Sequence, residues 1–80
     1  MLTLFIKTGC SYCQKVLDFS EKNGIALSLK NVSDPSVAEE LITRGGKKQM
    51  PYLVDGETGT EMYESDDIID YLHAKFAAKP

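Results

Sequence analysis

Eighty residues with 42% apolar and 26% charged side chains describe an ordinary globular chain, long enough for one small domain over residues 1–80. The net charge of −3 argues against a nucleic-acid binder held by counterion release. No stretch approaches the length of a membrane span, and Lys7 follows the first apolar run where a signal peptide would carry its charge before it. A cytoplasmic protein is therefore expected, with no nucleic-acid or membrane partner.

In chain order, the short apolar run Leu2–Ile6 predicts a strand buried on both faces, broken by Thr8-Gly9. From Ser11 to Asn23, Cys13, Val16, Leu17 and Ser20 recur at helical spacing, and Asn23-Gly24 supplies a stop. Ile25 to Val32 alternates and predicts a second strand, with Ile25, Leu27 and Leu29 on one side. Ser33-Asp34-Pro35 opens a helix with a capping side chain and a first-turn proline, and Gly45-Gly46 closes it. Tyr52–Val54 and Thr60–Tyr63 predict two strands around a turn-rich Asp55–Gly59 hairpin. A last helix starts near Ser65, carries Ile68, Ile69, Tyr71, Leu72 and Phe76, and frays at Ala77–Pro80. The order β-α-β-α-β-β-α predicts an α/β fold: a parallel pair through a right-handed crossover, an antiparallel hairpin, and one mixed sheet with helices on its faces.

Both cysteines fall in Gly9-Cys10-Ser11-Tyr12-Cys13, where the first strand hands over to the first helix. A C-x-x-C at such a junction reads as a thiol–disulfide centre. The helix start offers unpaired N–H groups and the positive end of the dipole, and Lys7 adds a nearby charge. Such surroundings lower a cysteine pKa from about 8.5 into the range of roughly 3.5–7.5. Cys10 is thus the expected nucleophile, and Cys13, one turn further in, the resolving thiol. A zinc site would need further ligands, and His73 is the single histidine. With one cysteine pair and no export signal, a catalytic disulfide is expected over a structural one. Tyr12 offers a flat wall beside a bound substrate. Met50-Pro51 is either a plain strand-opening proline or a cis-proline beside an extended thiol substrate. Lys47 and Lys48 read equally well as solvated charges, and His73, Tyr63 and Tyr71 as packing residues.

These landmarks resemble a glutaredoxin. Lys7 to Cys13 matches as K-T-G-C-S-Y-C, followed by Lys47-Lys48-Gln49 before Met50-Pro51, the Asp55-Gly56 hairpin, and Ser65-Asp66-Asp67 opening the last helix. The resemblance implies a thioredoxin fold with four strands in order 2-1-3-4 flanked by three helices, and glutathione as co-substrate. It implies that Lys7 and Gln49 approach the glycine carboxylate, and that the main chain of Met50 beside Pro51 pairs with the cysteinyl part. Ser65 and Asp66 would hold the γ-glutamyl end at a helix N-terminus. The implied activity is glutathione-dependent reduction of protein disulfides and of protein–glutathione mixed disulfides, by a monomer.

Two departures stand out. Ser11 follows the first cysteine where many glutaredoxins carry proline. Tyr63-Glu64 stands where many carry two glycines, and Glu64-Ser65 with Ile68 and Tyr71-Leu72 also resembles the glutathione-binding half of glutathione transferases, which brings Glu64 into the candidate site. A transferase proper would need a helical domain for its second substrate, which 80 residues do not supply. The alternatives to the oxidoreductase are a [2Fe–2S] carrier, in which Cys10 of two chains and two glutathiones bridge the cluster, and a redoxin served by thioredoxin reductase.

Overall fold

The computed structural model describes residues 1–77; the expected fraying of the last helix falls partly on residues 78–80, outside the described residues. Its elements follow the expected order: β1 (Leu2–Ile6), α1 (Ser11–Lys22), β2 (Ser28–Asn31), α2 (Pro35–Gly45), β3 (Tyr52–Asp55), β4 (Thr60–Tyr63) and α3 (Ser65–Ala77). The strands lie in the order β2-β1-β3-β4. β1 pairs with β2 in parallel and with β3 antiparallel, and β3 pairs with β4 antiparallel. This mixed sheet with three helices is a thioredoxin-like fold.

Alternation along the strands splits the core in two. Leu2, Leu4 and Leu53 face α1 and α3 and pack with Val16, Ile68 and Leu72. Phe5 and Tyr52 point to the other face and pack with Val32 and Leu41 beneath α2. β1 is buried on both faces because it is a central strand with a helix layer over each. Each such side chain taken fully from water contributes about 1.5–3 kcal/mol.

The helix boundaries have local causes. Asp34 caps α2 by accepting from the Ser36 amide (2.9 Å) and hydroxyl (2.8 Å), and Pro35 fits the first turn, where no amide donor is needed. α1 ends at Asn23, whose side-chain amide donates to the Phe19 carbonyl (2.8 Å).

The second strand is shorter than the alternation suggests. The Ile25 amide donates to the Ser20 carbonyl (2.8 Å), so Ile25 belongs to the end of α1, and pairing with β1 starts only at Ser28. Leu29, placed on one side of the strand with Ile25 and Leu27, is 50% exposed on β2, the edge strand of the sheet. The third strand runs one residue further than expected: Asp55 is its last member and is fully buried.

Candidate functional site

Gly9 makes the turn out of β1 with φ +81°, a left-handed conformation that strains any other residue. The turn delivers Cys10 to the N-cap of α1 with extended backbone (φ −83°, ψ 113°). There its sulfur does the work of a capping oxygen: the Cys13 amide donates to Cys10 Sγ at 3.2 Å, and the Gln14 amide donates to the Cys10 carbonyl at 3.0 Å. Both cysteines are free thiols. Cys10 is half-buried, whereas Cys13 is 1% exposed. Burial, and then the hydrogen bond to Cys10, push the Cys13 thiol up to about 11, so it holds its proton at neutral pH. The two sulfurs therefore differ in exposure, Cys10 half-buried and Cys13 buried.

Beside this turn lies a cleft of about 450 Å³ lined by Tyr12, Gln49, Met50, Pro51, Glu64, Ser65 and Asp66. These are seven of the ten residues singled out from the sequence, drawn from three separate segments. The Met50–Pro51 peptide is cis. Tyr12 is 65% exposed at the rim. Ser65 is buried at the start of α3, where the first amides have no partner within the helix.

Glu64 is the unusual member. Its φ of +72° is the one left-handed backbone among the described non-glycine residues. A left-handed backbone is one that glycine adopts without the strain a glutamate side chain brings. The Glu64 carbonyl accepts the Ile68 amide (3.0 Å), opening α3, and its carboxylate accepts from Gln49 Nε2 (2.6 Å) across the cleft. Asp66 is engaged by Lys15 of α1, an exposed pair joining the two helices that flank the site.

Lys7 does not line this cleft. It lines a second one, also about 450 Å³, together with both cysteines. The sequence also missed a brace behind the site. The Tyr63 hydroxyl donates to the Lys47 carbonyl (2.7 Å) and accepts from the Lys47 amide (3.2 Å), fixing the loop that leads to Pro51. A side chain at Gly45 would run into that hydroxyl, which is the close approach that requires glycine there. Tyr63 thus packs, as expected, but against the loop that carries one wall of the cleft. Cys10 could offer one thiolate to a cluster bridged between chains; among the described residues no group of three His, Cys, Asp or Glu side chains could hold a metal ion.

Residues 4–80 match the family model described as glutathione S-transferase, N-terminal domain. The chain belongs to that family. The resemblance to glutaredoxins is thereby corrected at the family level: the shared thioredoxin fold holds, and the family within it is the transferase one. Among solved structures, human glutathione transferase theta-2, in complex with glutathione and an unknown ligand, superposes with a TM-score of 0.82 at 28% identity, over 99% of this chain and 33% of that chain. A glutathione S-transferase from the Antarctic clam Laternula elliptica gives 0.81 at 26%, over 99% and 36%. Glutathione S-transferase 1-6 from Anopheles dirus species B gives 0.80 at 30%, over 96% and 37%. The chain spans about a third of the length of these structures. A comparison with curated protein sequences found no match. Among the described residues, no helix is long and apolar enough to cross a membrane.

Proposed function

We propose that this transferase-family domain is a glutathione-dependent thiol–disulfide oxidoreductase of the glutaredoxin kind, acting in the cytoplasm on disulfide-bearing or glutathionylated proteins. The observation that carries this reading is the C-x-x-C at the start of α1, with a reachable Cys10 sulfur backed by a buried, protonated Cys13. Glutathione lies in the cleft between Gln49–Pro51 and Glu64–Asp66. Its γ-glutamyl carboxylate meets the free amides at the start of α3, and its ammonium meets Glu64.

The Cys10 thiolate attacks the glutathione sulfur of a mixed disulfide. A Cys10–glutathione disulfide forms, the old S–S bond breaks, and the departing thiolate takes a proton from water. A second glutathione thiolate then attacks the glutathione sulfur on Cys10, releasing glutathione disulfide and the Cys10 thiolate. Cys13 is not needed for this route. For a protein disulfide, Cys13 attacks Cys10 instead and expels the reduced protein, leaving a Cys10–Cys13 disulfide that two glutathiones reduce. Burial, the largest cause that raises Cys13, persists once Cys10 is capped, so the Cys13 thiol must give up its proton as it attacks.

The family match favours a second reading, addition of glutathione to a carbon electrophile. Coupled turnover of a glutathionylated peptide with glutathione, beside conjugation of an aryl halide, separates the two. The oxidoreductase reading expects turnover by the parent and Cys13→Ser and none by Cys10→Ser. Retained turnover in Cys10→Ser, or conjugation without disulfide reduction, would overturn it.

A further inference from the structure

The two clefts beside the C-x-x-C turn are equal in volume and opposite in charge. The one bounded by α3 carries Glu64 and Asp66 and no lysine or arginine among its lining residues. The other is lined by Lys7 as its single charged residue, with Ile6 and Leu17 as apolar surface and both cysteines at its wall. The turn contributes to both: Cys10 and Cys13 to one, and Tyr12 between them to the other. α1 has no acidic residue in its first turn. Among the described residues, no ion pair or side-chain hydrogen bond engages Lys7, while Lys15, Lys30, Arg44 and Lys75 are all paired with carboxylates. The loop that bears it is held in place, since Asn31 Nδ2 donates to Thr8 Oγ1 at 3.1 Å. An exposed cation with no carboxylate partner beside reactive sulfurs is a ready counter-charge for a substrate.

We infer that the Lys7 cleft binds the half of a mixed disulfide that departs as thiol, and selects thiols with a carboxylate near the sulfur, such as acidic segments flanking a glutathionylated cysteine. The inference rests on the oxidoreductase reading and removes Lys7 from the glutathione subsite. Cys10 bonds to the glutathione sulfur, so glutathione stays in the α3-side cleft as the Cys10 disulfide while the second half leaves from the Lys7 side. Each half then meets its own charge: the glutathione ammonium meets Glu64, and the departing carboxylate meets Lys7.

The test uses three mixed disulfides of glutathione, with 3-mercaptopropionate (anionic), 2-mercaptoethanol (neutral) and cysteamine (cationic). Because the departing thiols differ in acidity, the decisive figure is the change in relative kcat/KM on mutation. Lys7→Gln is expected to lower the anionic-to-cationic ratio about fivefold, the scale of an exposed ion pair, and Lys7→Glu to lower it further. Lys7→Arg is expected to retain it, and added salt to erode it in the parent. The rise in KM in Lys7→Gln falls on the anionic mixed disulfide and not on glutathione. A ratio unchanged in Lys7→Gln, with or without a higher KM for glutathione, would overturn the inference while leaving the oxidoreductase reading intact. No turnover of any of the three by the parent would overturn both.

Discussion

The two ends of the sheet are built to opposite purposes from the same two elements. β3 begins at Tyr52, directly after the cis Met50–Pro51 bond, and α3 begins at Ser65; at that end the chain leaves open clefts. β3 ends at Asp55, and α3 brings Tyr71 and Lys75 over it; at that end helix and hairpin are locked together, beside a further cleft of about 550 Å³ that Glu57 and Lys75 help to line. The fully buried Asp55 carboxylate accepts from the Tyr71 hydroxyl, from Lys75 Nζ (2.7 Å) and from the Glu57 amide (3.0 Å). Lys75, and then Tyr71, hold the Asp55 carboxyl well below the usual carboxylate range despite its burial. A buried charge is tolerated there because three donors, one of them a cation, meet it, and the pairing fixes α3 against the hairpin.

Five substitutions probe that division. At the open end, Cys10→Ser is expected to lower glutathione-dependent turnover about a thousandfold or more while leaving the thermal midpoint near the parent's. At the locked end, Asp55→Ala is expected to cost about 3 kcal/mol in denaturant unfolding, because it strands Lys75 and Tyr71. Activity of the folded fraction should survive. A large activity loss in Asp55→Ala without loss of stability would break the contrast.

Acid and alkali should find different ends. Asp55 binds a proton more weakly when folded than when unfolded, so its stabilisation is full above the ordinary carboxylate pKa and is lost as pH falls below about 4. Asp55→Asn should flatten that decline. Cys13 binds its proton more tightly when folded, so its contribution is present below its ordinary value of 9.0 and is lost as pH rises through about 11. Denaturant titrations of Cys13→Ala across that alkaline range should be flatter than those of the parent. The smallest effect is expected from Lys15→Ala. It breaks the exposed pair with Asp66, and its stability should match the parent's within error, because solvent screens both charges.

Much of this could be read from the residues. The run Leu2–Ile6, the Asp34-Pro35 cap and the apolar run Tyr52–Val54 fix their elements through local rules, and the C-x-x-C marks its own turn. The second strand was overextended because alternation reports burial, and Ile25 is buried by capping α1 without joining the ladder. Asp55 read as a turn residue because its partners, Tyr71 and Lys75, lie far along the chain and nothing local signals a buried carboxylate. Lys7 read as part of one groove because sequence order cannot separate two clefts that meet at a single turn. The family was legible only in Glu64-Ser65 with Ile68 and Tyr71-Leu72, a segment in which glutamate occupies a left-handed position that glycine fills more easily.

The most direct measurement is the mass of the covalent intermediate. Cys13→Ser, incubated with glutathione disulfide and mapped by peptide mass spectrometry, is expected to carry one glutathione on Cys10, removed by added glutathione. A protein that stays unmodified under these conditions, or that carries glutathione equally when Cys10 is serine, would contradict the assignment of Cys10 as the nucleophile.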